Sequence, residues 1–290
     1  MCHFKLYPKK NNFIGKTYLG EEYNLNLISV GRDLIKLKNS QSFNANKSLV
    51  VANPSFYIAN KNNKINLLDE INSAKDLLRN NINLRENWNL LPNTNKEGLE
   101  ISKILKSDLL INEYASPSLI KKYRDPKILH IASHSSYEAN PVNKSIKNPL
   151  LISKIPLAGA NNFIKSNNDD GYLTALELSQ LDLKNTELVV ISGCESALGD
   201  FLLGEGIFGL KRAITLAGSR SSLLSLWKVN DKITTDFMIS FYNNLNYGLN
   251  RSQALLKTQS EFRNSINPDY RHIYSWGAFQ LNGDWRRINF

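Results

Sequence analysis

Three short apolar runs, at 127–132, 188–192 and 222–227, constrain the fold of this chain more than any other feature of its sequence. Each is apolar at successive positions, so both faces of the strand it would form need cover, as in a sheet buried on both sides. Amphipathic patterns lie between and after them. Leu203, Ile207, Leu210, Ile214 and Ala217 fall on one helical face and predict a helix over 203–217. Ile233, Phe237, Phe241 and Leu245 step by four and predict another over 232–246, with Asp231 placed to cap its start. A further helix is expected over 251–263, beginning after Gly248 and Asn250. Strands that alternate with helices imply parallel pairing through right-handed crossovers. The class is therefore α/β.

The first third is more polar, with asparagine and lysine breaking its periodicity. A buried strand is expected at 48–52, stopped by Asn53-Pro54. Leu68, Ile71, Lys75 and Leu78 predict a helix over 67–79, and Leu99, Leu105 and Leu109 another over 96–111.

Composition narrows the function classes. Of the 290 residues 42% are hydrophobic and 21% charged, enough apolar material for a large core and too much for a disordered chain. Lysine and arginine number 36 against 26 acidic residues, a net charge of +10. The basic residues come singly or in pairs, such as Lys9-Lys10 and Lys121-Lys122. That is the pattern of a solvated surface and not the stripe that tracks a nucleic-acid backbone. No run approaches the ~20 apolar residues of a membrane helix, and Pro8-Lys9-Lys10 interrupts the start before a signal peptide could form. The two cysteines, Cys2 and Cys194, make neither a disulfide scaffold nor a zinc spacing. A reducing, cytoplasmic setting is expected.

In an open α/β sheet, sites form beyond the carboxyl ends of the strands. The first run delivers His134 there and the second delivers Cys194. If those strands are neighbours, an imidazole and a thiol emerge side by side, the ingredients of nucleophilic catalysis. The N-terminus of helix 203–217, or the turn before it, would then be placed to lower the thiol pKa. The backbone N–H groups of Ser135 and Cys194 are candidate oxyanion donors. Taken singly, a buried cysteine is a small core residue and a histidine a satisfied side chain. The pairing is what points to chemistry. His130, inside the strand run, reads as packed and hydrogen-bonded.

The residues around this pair resemble a known family. Leu129-His-Ile-Ala-Ser-His134 and Val189-Val-Ile-Ser-Gly-Cys194-Glu-Ser-Ala-Leu-Gly199 are similar to the histidine and cysteine motifs of CHAT domains. These are caspase-like cysteine peptidases commonly joined to tetratricopeptide repeats. Asp170-Gly-Tyr-Leu-Thr-Ala-Leu-Glu177, Gly204-Glu-Gly-Ile-Phe-Gly-Leu210, Ser225-Leu-Trp-Lys-Val-Asn-Asp231, Phe241-Tyr242 and Trp276-Gly-Ala-Phe279 continue the likeness. Upstream it extends to Tyr18-Leu-Gly-Glu-Glu-Tyr23 and Gly31-Arg-Asp-Leu34.

The resemblance implies a caspase-like, mostly parallel sheet with helices on both faces. It implies one domain over 18–290 behind an N-terminal segment, 1–17, too short for the strand pair usual there. That suggests a truncated frame or a domain cut from a longer, repeat-bearing protein. It also implies endopeptidase action on a protein or peptide through a thioester, with His134 and Cys194 as the dyad and no metal or organic cofactor. A partner or repeat domain would reorganise the loops at 135–172 and 195–203. Ser135 stands where the family usually has glycine, and Gly193 where it usually has alanine. The first difference leaves open the alternative of a catalytically silent scaffold; the second reads as added flexibility.

Two patterns are set aside. Gly204-Glu-Gly206-Ile-Phe-Gly209 fits a dinucleotide fingerprint, but about ten residues separate it from the preceding strand, where that motif requires a direct turn. Asp169, Asp170, Asp200, Glu205 and Asp231 would suit an acidic specificity pocket. Turns and helix starts account for Asp169, Asp170, Glu205 and Asp231, and none of the five is assigned as the selector.

Overall fold

The computed structural model describes residues 26–28, 31, 35, 45–58, 87–137, 149–151, 153–162, 169–193, 200–202 and 206–289. The expected helix over 67–79 lies outside them, as does the 18–23 segment.

In chain order, β1 (Leu49–Pro54) is followed by α1 (Pro92–Leu105), β2 (Asp108–Asn112) and the short α2 (Pro117–Ile120). Next come β3 (Ile128–Ala132), β4 (Ser136–Tyr137), β5 (Ser153–Pro156), β6 (Tyr172–Thr174) and α3 (Ala175–Ser179). Then β7 (Leu188–Ile191) leads to the strand pair β8 (Asp200–Leu202) and β9 (Gly206–Phe208), then α4 (Leu210–Ala217) and β10 (Ser221–Ser225). The chain closes with α5 (Asp231–Asn246), α6 (Arg251–Arg263), α7 (Pro268–Arg271), α8 (Ile273–Trp276) and β11 (Phe279–Gly283).

Six strands form the central sheet in the order β11-β10-β7-β3-β1-β2. All neighbours are parallel except β11, which runs antiparallel to β10. One lateral row reads Val50, His130, Val190 and Leu223, and faces a core completed by Ile101 of α1, Phe237 and Phe241 of α5, and Phe262 of α6. The next row, Val51, Ile131, Ile191 and Leu224, faces the other way onto Leu178 of α3 and Leu210 and Ile214 of α4. Two cores, one on each side, explain why the strand runs carry no polar alternation. His130 is the exception in its row.

Four expected elements shift. The helix expected over 96–111 runs from Pro92 to Leu105 and stops at Lys106, whose left-handed φ of 49° sends its N–H back to Lys103 O and Ser102 O. No glycine or proline marks that stop, and Leu109–Ile111 become an edge strand instead. The helix expected over 203–217 begins only at Leu210, because 206–208 pair with 200–202 as a hairpin. Asp231 does not cap α5: the Asn230 side chain accepts from Lys232 N and Ile233 N. The third apolar run pairs over Ser221–Ser225, shifted by one or two residues from the expected 222–227. The helix over 251–263 stands as expected, capped by Asn250 and Gln253.

Two features hold the sheet's ends. At the amino-terminal ends of β7 and β10, the buried Arg251 pairs with Glu187 and Asp284, and Arg220 reaches Asp284 at 2.9 Å. Near the other end α1 presses directly on β1, where a Cβ built on Gly98 would stand 2.5 Å from the Ala52 Cβ. Gly98→Ala gains about 1 kcal/mol of helix propensity but must lift α1 from the sheet, an overpacking cost of roughly 1–3 kcal/mol. Its urea unfolding midpoint is expected to fall.

Candidate active site

The strand order places β1 and β3 side by side although the chain visits β2 between them, so segments leaving these two strands diverge and open a crevice. Phe56 follows β1 and His134 follows β3 into it. The two rings lie 5.6 Å apart. The Trp88 ring covers the imidazole from another side, 5.1 Å away. Trp88 belongs to the segment that enters α1, and Asn161 holds it there. Trp88 N donates to Asn161 Oδ1 and Asn161 Nδ2 donates to Trp88 O, both at 2.9 Å. Asn161 N also donates to Phe56 O, so one buried asparagine fixes both aromatic walls.

His134 Nε2 donates to the carbonyl oxygen of Asn89 at 2.8 Å. A carbonyl only accepts, so this bond puts the neutral ring's proton on Nε2 and its lone pair on Nδ1. Burial between the aromatic rings holds the imidazole below its ordinary 6.5. The Asn89 carbonyl opposes that shift, Lys228 adds to it, and Asp231 opposes it weakly. The ring is thus a neutral base near pH 7, and once charged it gives its proton up readily.

The neighbouring strand brings Gly193, the last described residue before Cys194, to the exit of β3. β3 and β7 pair from Ile128↔Leu188 to Ile131↔Ile191, and Ser192 N continues the ladder by donating to Ile131 O at 3.1 Å. Gly193 is then pressed against the exit of β3. A Cβ on it would stand 2.5 Å from Ser133 O and 3.1 Å from both His134 C and Ser135 N. From the other side the Ser225 hydroxyl of β10 donates to Gly193 O. Glycine here answers a close approach of two backbones, which corrects the expectation of added flexibility. Cys194 and 195–199 lie outside the described residues. So does Cys2.

The remaining expected residues sort as follows. Ser135 directly follows His134 and precedes β4. His130 is packed as expected, fully buried between Glu97 and Tyr242. Asp169 accepts from Gly171 N and Asp170 from Tyr172 N, both turn roles, and Asp169 also accepts from Ser118 N at the start of α2. Asp231 accepts from Asn93 N and Nδ2 at the start of α1. Glu205 and the Asp200 side chain lie outside the described residues. The β8–β9 pair stands between β7 and α4, so the glycine pattern at 204–209 does not make the direct strand-to-helix turn that a dinucleotide needs. Among the described residues no three His, Cys, Asp or Glu side chains gather closely enough to hold a metal ion, and no helix is long and apolar enough to cross a membrane.

Sequence reasoning missed Phe56, Trp88, Asn89 and Asn161. All four lie in loops, where hydrophobic periodicity gives no signal; a tryptophan in a polar stretch, Trp88, is the feature that could have marked the segment.

Two outcomes follow from this geometry. Gly193→Ala has only backbone to push against, so it is expected to cost roughly 1–3 kcal/mol in a urea melt and to displace the His134 loop. The His134 imidazole is expected to titrate below 6.5 by NMR. Its folded pKa is below its unfolded one, so its contribution to stability is present above 6.5 and is lost as pH falls through the folded midpoint. Melts taken across that window read the loss.

Comparison with known proteins places this architecture. Separase in the Saccharomyces cerevisiae separase–securin complex superposes with a TM-score of 0.50 at 13% identity, over 87% of this chain and 13% of that chain. A second structure of the same complex gives 0.50 at 14% identity with the same coverage. The Arg-specific cysteine proteinase gingipain R gives 0.47 at 10% identity, over 83% of this chain and 46% of that one. The chain thus spans less than half the length of each. A search of curated protein sequences finds no match. Separase supports the fold alone: a caspase-like α/β sheet with helices on both faces. Residues 3–284 match the sequence pattern of the CHAT domain, nearly the whole chain, and the protein belongs to the CHAT domain family.

Proposed function

We propose that this chain is a cysteine endopeptidase whose dyad is His134 and Cys194. In this reading Nδ1 of His134 takes the thiol proton and the Cys194 thiolate attacks the scissile carbonyl. The C–N bond breaks, the imidazolium protonates the leaving amine, and a thioester remains. Water then attacks the thioester, His134 takes its proton, the C–S bond breaks, and the imidazolium returns the proton to the released Cys194 thiolate. The N–H groups of Ser135 and Cys194 are assigned to the oxyanion.

The observation that carries the reading is the contact of Gly193, the residue before Cys194, with the backbone of His134 and Ser135. That contact holds the chain one residue before Cys194 beside the His134 backbone, which supports pairing the thiol with the imidazole. The lowered pKa of His134 supports protonation of the leaving amine, because a desolvated imidazolium is a strong proton donor. Membership of the CHAT family adds to both. A protein or peptide substrate, control by a partner or a tetratricopeptide-repeat segment, and a cytoplasmic setting belong to the same proposal.

A thiol-directed peptidyl probe tests it. Labelling is expected in the unsubstituted protein and absent in Cys194→Ala, while equal labelling of the two removes Cys194 as the nucleophile. A diverse peptide library is expected to show cleavage that disappears in His134→Ala. No cleavage even with candidate activators added would favour a silent scaffold instead.

A further inference from the structure

Two histidines, one inside β3 and one just past it, grip the two ends of one segment. His134, just past β3, binds the carbonyl of Asn89. His130, inside β3, sets its Nε2 3.0 Å from Glu97 Oε1 in the second turn of α1. Only the entry to α1 and its first turn lie between Asn89 and Glu97. α5 closes the arrangement from above. Thr235 Oγ1 stands 3.2 Å from both Glu97 Oε2 and Asn93 O, and the Tyr242 hydroxyl lies 3.2 Å from His130 Nδ1. His130, Glu97, Thr235 and Tyr242 are all buried.

We infer that Glu97 is a positioning residue: clasped by His130 and Thr235, it fixes α1 along its axis so that the Asn89 carbonyl meets His134. This deepens the peptidase reading and rests on it for the role of His134. The apolar contact of Gly98 with Ala52 sets how near α1 lies to the sheet, but such contacts are non-directional and allow sliding. Hydrogen bonds do not. The Asn89–His134 bond is 2.8 Å long, and a displacement of about 1 Å would take it out of hydrogen-bonding range. A buried ionisable pair is poorly explained by stability alone, since apolar replacements of similar volume are often neutral or stabilising. Directional register is what it adds here.

The test is the NMR titration of the His134 ring in the full chain carrying Cys194→Ala, with folding checked by circular dichroism. The Asn89 bond raises the midpoint, with Asp231 acting in the same direction and Lys228 against it. Glu97→Leu is therefore expected to lower the midpoint by about half a pH unit or more. Thr235→Val should lower it less, and Glu97→Gln, which keeps an acceptor for His130, should stay near the unsubstituted value. Leu255→Ala, a truncation in the α6 core, should leave it in place. An unmoved midpoint in folded Glu97→Leu overturns the inference; if that variant does not fold, an unmoved midpoint in Thr235→Val does so. An equal shift in Leu255→Ala, or one in Glu97→Gln as large as in Glu97→Leu, also overturns it. The measurement needs no turnover, so it reads the clasp even if the peptidase reading fails.

Discussion

The parallel pairing of β3 with β7 is the constraint on which the site depends. Four aligned residue pairs and one further ladder bond carry the two strands to the same edge in fixed register. There the backbones of 133–135 and 193 come into direct contact, close enough that no side chain fits between them. A slip of one residue would turn every side chain of a strand to the other face and exchange the two cores. Register is therefore defended by the entire apolar surface on both sides of the sheet. The geometry at His134 inherits that stability at no cost of its own.

What surrounds His134 is of a different kind. Phe56, Trp88 and Asn89 come from loops, and a few hydrogen bonds hold the three in place. Asn161 contributes three of these, using its side chain as a strand would use its backbone. The consequences are electrostatic. Aromatic walls remove water from the imidazole and disfavour its charge, while one carbonyl selects the tautomer. A rigid sheet thus supplies position and a softer shell supplies proton affinity. Such shells come from the less stable parts of a fold, where small forces change their arrangement.

Polar groups are distributed to match. A cluster of arginines and carboxylates fastens the amino-terminal ends of β7 and β10, far along the strands from His134. Near the middle of the sheet the only ionisable side chains facing the α1–α5 side, among the described residues, belong to the His130–Glu97–Tyr242 group. Both clusters tie helices to strands with directional bonds where apolar packing alone would permit sliding.

Much of this was legible in the sequence, for reasons that can be located. The apolar runs at 127–132, 188–192 and 222–227 had to be buried strands, and the four-residue steps of Ile233, Phe237, Phe241 and Leu245 had to be a helix, because each periodicity reports local geometry. From that alone came the α/β class, the sheet edge bearing His134, and the packed state of His130. Local pattern failed where pairing with another segment overrode it. Leu109 joined a strand because an edge of β1 was open, and 206–208 left the helix because 200–202 offered a partner. The walls of the imidazole, the tautomer and the reason for Gly193 were decided only by tertiary structure. They arise from contacts between residues far apart in sequence, and such contacts leave no period for a sequence to show.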